Sequence, residues 1–82
     1  MKLTVYYGKN CPKCPAAKKM AKEAAEEHKL QYEEKDIEEY MIEALQLQIA
    51  STPSIVLDDE VLFRSDAPSR QALSEEINKR CN

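Results

Sequence analysis

No stretch of this chain approaches the roughly 20 consecutive apolar residues that a membrane-spanning helix needs, so membrane insertion is not expected. The opening run from Met1 to Tyr7 reaches Gly8 and Lys9 too soon to hold the roughly 7–15-residue apolar region and small-residue cleavage site of a secretory signal, which points to a cytoplasmic product. Glycine occurs once, at Gly8, and no linker, internal repeat or low-complexity segment interrupts the 82 residues. One domain spanning 1–82 is therefore expected, because a chain of this size buries too little apolar surface for two independent units. Acidic residues outnumber basic ones, 15 to 12, for a net charge of −3, so no broad basic surface for nucleic acid is foreseen. There is one histidine, and the three cysteines are an odd number, which argues against a closed disulfide framework and leaves at least one thiol unpaired.

What is present has a clear order. Leu3, Val5 and Tyr7 alternate with Thr4 and Tyr6, so residues 2–7 read as a first strand ended by Gly8-Lys9-Asn10. Over residues 12–28, Ala17, Met20, Ala21, Ala24, Ala25 and His28 recur at helical spacing with Lys and Glu between them, and Pro12 suits the first turn of that helix. Residues 30–35 read as a short second strand. Asp36 followed by Glu39 predicts an N-cap and capping box for a second helix starting near Ile37 and carried by Tyr40, Met41, Ala44, Leu45 and Ile49. Ser51-Thr52-Pro53 must end it. Residues 54–57 and 61–64 flank Asp58-Asp59-Glu60 as an antiparallel hairpin, and Ser69 is a candidate cap for a last helix with Ala72, Leu73, Ile77 and Cys81 at helical spacing. The order β-α-β-α-β-β-α, with a right-handed crossover, implies an α/β fold: a mixed four-stranded sheet with helices on both faces.

The chemistry lies in Cys11-Pro12-Lys13-Cys14. A dithiol that opens and closes reversibly needs sulfurs that reach bonding distance without backbone rearrangement, and residues i and i+3 of an opening helical turn meet that need. The nucleophile of thiol–disulfide exchange is the thiolate, and a helix N-terminus, worth roughly half a positive charge, lowers the pKa of a thiol placed there. Cys11 is thus the expected nucleophile, with Lys9 and Lys13 adding positive charge. Cys14, one turn inside, is the expected resolving thiol.

With its cysteines following strand one and opening helix one, and with Thr52-Pro53 directly before the hairpin, the chain resembles the thioredoxin superfamily, in particular its short glutaredoxin-like members, over nearly all its length. The resemblance implies a dithiol–disulfide oxidoreductase that reduces protein disulfides, with a role in electron transfer and cell redox homeostasis and without a bound cofactor or metal. It further implies a cis bond before Pro53, a Thr52 backbone that pairs with an extended substrate segment, and substrate contacts from Pro12, Lys13, Thr52 and Pro53. Asn10 stands where ordinary thioredoxins have tryptophan, and the inner pair is Pro-Lys, not Gly-Pro. Arg64-Ser65-Asp66-Ala67 stands where glutaredoxins have a Gly-Gly that approaches glutathione. The resemblance is therefore to glutaredoxin-sized proteins that behave as thioredoxins. It implies a monomer that acts on disulfide-containing proteins and takes electrons from a thioredoxin-reductase-type donor in preference to glutathione.

Other readings stand beside this one. The same two thiolates would suit a non-enzymatic metal-binding or metal-transfer protein, and the Cys14 to His28 spacing imitates a zinc finger. If residues 12–28 are one helix, however, His28 lies on the order of 20 Å from Cys14, while metal ligands sit about 2 Å from the ion. A docking module with incidental cysteines is a third reading. His28 itself reads as a solvated helix end, Cys81 as a free thiol on the face of Ile77, and the tyrosines as packing residues. The lysine window Lys9, Lys13, Lys18, Lys19 and Lys22 reads as a solvated face that would also steer acidic partners.

Overall fold

A computed structural model describes residues 1–9, 11–64 and 69–81, for Cys81 the backbone alone. The elements are β1 (Lys2–Tyr7), α1 (Cys14–Glu27), β2 (Gln31–Asp36), α2 (Met41–Gln46), β3 (Ser54–Leu57), β4 (Glu60–Phe63) and α3 (Arg70–Cys81). The order matches that read from the sequence. The strands form one sheet in the order β2-β1-β3-β4, with β1 and β2 parallel and the other two pairings antiparallel. The architecture is the α/β, mixed four-stranded arrangement expected.

Alternation along β1 divides the core. Leu3 and Val5 point to one face, where Ile55 and Leu57 of β3 join Ala21, Ala24 and Ala25 of α1 and Leu73 and Ile77 of α3. The alanines let α1 lie close against the sheet. Tyr6 and Val56 point to the other face and meet Ala44 and Ile49 from the α2 region, with Ile37, Leu47 and Val61 around them. Helices therefore cover both faces.

Several element boundaries differ from expectation, β2 being shifted by one residue to Gln31–Asp36. α1 begins at Cys14, not Pro12; Lys13 is its N-cap without a side-chain cap bond, and Pro15, whose missing N–H costs nothing there, takes the early-turn place expected of Pro12. α2 is six residues long, starts at Met41 and ends at Gln46, before the expected Ser51-Thr52-Pro53 stop, because Gln48 takes a left-handed φ of 61° and the Ile49 N–H turns back to the Ala44 carbonyl at 2.8 Å. The expected Asp36 N-cap and its Glu39 capping box do not start this helix, whose N-cap is Tyr40 without a side-chain cap bond; Asp36 instead closes a turn, its Oδ1 accepting the Glu38 N–H at 2.9 Å and its carbonyl accepting the Tyr40 N–H at 3.0 Å, and residues 37–40 remain turns. The hairpin's second strand runs Glu60–Phe63, because Asp58 takes a left-handed φ of 54° and closes the turn one residue early. The Ser69 cap is made: its Oγ accepts the Ala72 N–H at 3.1 Å.

His28 departs from the solvated reading. It is the C-cap of α1 and half-buried, and its Nε2 is buried with no hydrogen-bond partner among the described residues. Tyr6 is a core residue, and the Tyr7 ring holds the Lys18 Nζ 3.6 Å from its centroid.

Candidate active site

The strand directions bring three chain segments to one end of the sheet. β1 and β2 run parallel and so end together, and the Tyr7 carbonyl accepts the Ile37 N–H at 2.9 Å where β2 gives way to the next turn. β3 runs the opposite way and begins there, with Ser54 opposite Tyr6. Gly8 and residues 11–14, the start of the 37–46 segment and residues 50–53 therefore converge, although they are far apart in sequence.

Within that convergence Cys11 and Cys14 are joined as a disulfide, their Cα atoms 5.4 Å apart. The sulfurs meet across the turn that precedes α1: the Cys14 N–H donates to the Cys11 carbonyl at 3.3 Å, and the first full helical bond follows from the Ala17 N–H to the Lys13 carbonyl at 3.1 Å. Cys14 is 3% exposed, whereas Cys11 is half-buried and Pro12 and Lys13 are exposed. Of the two, Cys11 is the more accessible residue. The helix end is electrostatically bare, with no side-chain cap and no acid in the first turn, so its partial positive charge is left to act on neighbouring groups.

The Thr52-Pro53 peptide is cis, as the resemblance implied. Pro53 is buried and Thr52 half-buried beside it. The Ser54 Oγ donates to the Ser51 carbonyl at 2.8 Å and ties the loop to the start of β3. Thr52 and Cys11 line one groove of about 370 Å³, shared with Gly8, Pro12, Ile37 and Ala50. The structure thus brings Cys11, Pro12 and Thr52 to a common surface, with Cys14 behind Cys11 and Pro53 beneath Thr52. Lys13 lies outside this lining.

Sequence reading alone missed the walls of this groove. Gly8 is the residue on which its shape depends: a Cβ there would stand 3.0 Å from the Thr52 Oγ1, so the close approach of the β1 end to the Thr52 loop requires a glycine or a shift of that hydroxyl. The one glycine of the chain, placed just before the cysteines, was the available signal. Ile37 carried a weaker one as the first residue after β2.

Among the described residues no three His, Cys, Asp or Glu side chains are grouped as a metal site would require. α1 separates Cys14 from His28 along its whole length, about 20 Å. Among the same residues no helix is long and apolar enough to cross a membrane. Asn10 and the stretch 65–67, on which the comparison with thioredoxin tryptophan and glutaredoxin Gly-Gly turns, lie outside the described residues, as does the Cys81 side chain.

Comparison with known proteins agrees with this geometry. Residues 1–78 match the family described as Thioredoxin domain. The chain is 34% identical over 82 residues to a thioredoxin of Methanocaldococcus jannaschii, covering 98% of this chain and 95% of that relative. Its fold resembles that of thioredoxin 1 from Thermosipho africanus with a TM-score of 0.72 at 13% identity, covering 100% of both chains. It also resembles oxidised thioredoxin from Plasmodium falciparum with a TM-score of 0.71 at 15% identity, covering 99% of this chain and 81% of that one. At those identities the two structures speak for the fold alone.

Proposed function

Because the chain belongs to the thioredoxin family and joins Cys11 to Cys14, it is a thiol–disulfide oxidoreductase, and we propose that it reduces protein disulfides with Cys11 as nucleophile and Cys14 as resolving thiol. The supporting observation is the difference in exposure between two sulfurs close enough to bond: Cys14 is buried at 3%, and Cys11 opens onto the groove that Thr52 also lines.

In the reduced protein the Cys11 thiolate attacks one sulfur of the client disulfide. A Cys11–client bond forms, the client's S–S bond breaks, and its other sulfur leaves as a thiolate that takes up a proton. Cys14 then loses its proton and attacks the Cys11 sulfur, expelling the second client thiolate and closing the Cys11–Cys14 disulfide. Two electrons have passed from the protein to the client, and an external dithiol must return them. The N-terminal end of α1 favours the Cys11 thiolate, with Lys13 adding charge. Pro12, Lys13, Thr52 and Pro53 shape the client's path, and the Thr52 backbone pairs with an extended client segment.

This reading makes the protein a cytoplasmic, monomeric electron carrier in redox homeostasis, reset by a thioredoxin-reductase-type donor more efficiently than by glutathione. The reducing cytoplasm is where a recycled dithiol stays functional. The test is reduction of a protein disulfide by the intact chain, Cys11→Ser and Cys14→Ser. Cys14→Ser should accumulate a client mixed disulfide at Cys11, and Cys11→Ser should be inactive. Trapping through Cys14 would reverse the roles. Supplying electrons from thioredoxin reductase and, separately, from glutathione with its reductase should show faster turnover in the first system.

A further inference from the structure

The second face of the sheet is covered in part. Ala44 and Ile49 pack on Tyr6 and Val56, but α2 is only six residues long. Beside that packing lies a cavity of about 500 Å³, within the size range of small-molecule sites. Thr4 and Tyr6, which share one face of β1, line it together with Val56 of β3. Thr4 is 5% and Tyr6 2% exposed, yet neither hydroxyl has a hydrogen-bond partner among the described residues. Buried polar groups are ordinarily paired, so two such hydroxyls on one wall offer two acceptors to a ligand. Burial raises the Tyr6 pKa above its ordinary value of 10.0; Lys35 works against the rise, while Glu43, Glu33 and Asp59 add to it. Carboxylates therefore outnumber ammonium groups around that hydroxyl.

The same imbalance runs along the cavity. Its two lysines are already paired, Lys2 with Glu33 at 2.7 Å and Lys35 with Glu43 at 2.9 Å. Asp58 and Asp59, also in the lining, have no ion-pair partner among the described residues; the Asp58 Oδ1 accepts the Lys2 backbone N–H at 2.9 Å. Four carboxylates thus face two ammonium groups, which favours a ligand with more than one positive charge. Among the described residues no three acids are grouped as a metal ion needs, so the charge must be spread along a chain instead of held at a point.

We propose that this cavity binds a linear aliphatic polyamine. One terminal ammonium meets Asp58 and Asp59, inner N–H groups donate to the Thr4 and Tyr6 hydroxyl oxygens, methylenes lie over Val56 and Leu47, and the far ammonium comes to Glu43. Lys2 and Tyr6 are about 13 Å apart along β1, at about 3.3 Å per residue, a span that a three-nitrogen chain covers and a single amine does not. The cavity shares no lining residue with the Cys11 groove, so binding there stands apart from the redox chemistry.

The experiment titrates spermidine into the isotope-labelled full chain at about 0.1 M salt and follows the amide NMR shifts. Shifts should be confined to β1, β3 and the turn at residues 58–60, and should saturate with a Kd below about 1 mM. Thr4→Val and Tyr6→Phe each delete one hydroxyl at nearly constant volume, and each should weaken binding about tenfold, as for loss of a hydrogen bond to a charged group. Asp59→Asn, at an exposed turn position, should weaken it to a similar degree and does not endanger the fold. Glu75→Gln removes an acid of α3 outside the cavity and should leave the affinity unchanged. The amide spectrum of each variant shows whether it is folded. Wild-type affinity in the folded hydroxyl variants and in Asp59→Asn, or an equal loss in Glu75→Gln, would reveal general attraction to an acidic protein and overturn the site. Shifts spread over the acids of α1 and α3, displacement of spermidine by an equal concentration of magnesium, or no saturable binding would overturn it as well.

Discussion

Gly8 and Thr52 are 44 positions apart, yet hydrogen is the largest side chain that fits at Gly8 without pressing on the Thr52 hydroxyl, since an added Cβ would come to 3.0 Å from Oγ1. Gly8→Ala should destabilise the protein by about 1–2 kcal/mol, the usual cost of mild overpacking. Thr52→Ala removes the crowded atom, so the double variant should be less destabilised than the sum of the two single changes. Urea denaturation of the four proteins checks this, and strict additivity would show that the two residues do not interact. The residues of the cysteine motif were legible because their chemistry depends on spacing within four consecutive positions. The Gly8–Thr52 approach was not, because the antiparallel pairing of β1 with β3 creates it. His28 shows the same limit: its place at a helix end was readable, but the burial of its Nε2 depends on packing outside its own segment.

At the scale of elements, α3 is held by two kinds of contact. Leu73 and Ile77 are fully buried in the main core. At the surface, Arg70 pairs with Glu23 and Glu27 of α1, and Arg80 pairs with Glu60 of β4 at 2.8 Å. Exposed pairs contribute little, typically under about 1 kcal/mol, so the apolar pair should dominate. Ile77→Ala is expected to cost about 2–5 kcal/mol, and Ser69→Ala, which removes the cap, about 1 kcal/mol. Equal losses in chemical denaturation would contradict this ranking. Between β1 and β2 the Lys2 Nζ lies 2.7 Å from the Glu33 carboxylate, and that hydrogen bond holds the Glu33 pKa below its ordinary value of 4.5. A depressed carboxylate stabilises the fold above its unfolded pKa and loses that contribution as pH falls through the folded one. Glu33→Gln should therefore lower the urea midpoint slightly at pH 7, and the deficit should shrink as pH falls below the ordinary carboxylate range; a deficit independent of pH would refute the linkage. Element identity and order were readable from apolar periodicity and, for α3, from the Ser69 cap. Element starts were not, because Pro15 and the turns at 37–40 shift both helices later, and periodicity cannot separate an opening turn from a helix.

For the whole molecule, what matters is that β1, β2 and β3 present their active ends together, joining a bare helix terminus, a reactive pair and the Thr52 loop on one surface. In sequence the lysines cluster about the cysteines, at Lys9, Lys13, Lys18, Lys19 and Lys22, and of these Lys13, Lys19 and Lys22 have no ion-pair partner among the described residues. Reduction of a client acidic near its disulfide should slow as salt rises, and Lys13→Glu should flatten that dependence, while a small uncharged disulfide responds to neither. A salt response shared by both substrates would exclude steering. The central claim is that Cys11 ionises readily while Cys14 stays protected, and the pH dependence of alkylation of the reduced chain, with the modified residue mapped at each pH, tests it most directly. The expected result is a reaction at Cys11 with a midpoint below the free-thiol value of about 8.5. A midpoint at or above that value, or first modification at Cys14, would contradict it.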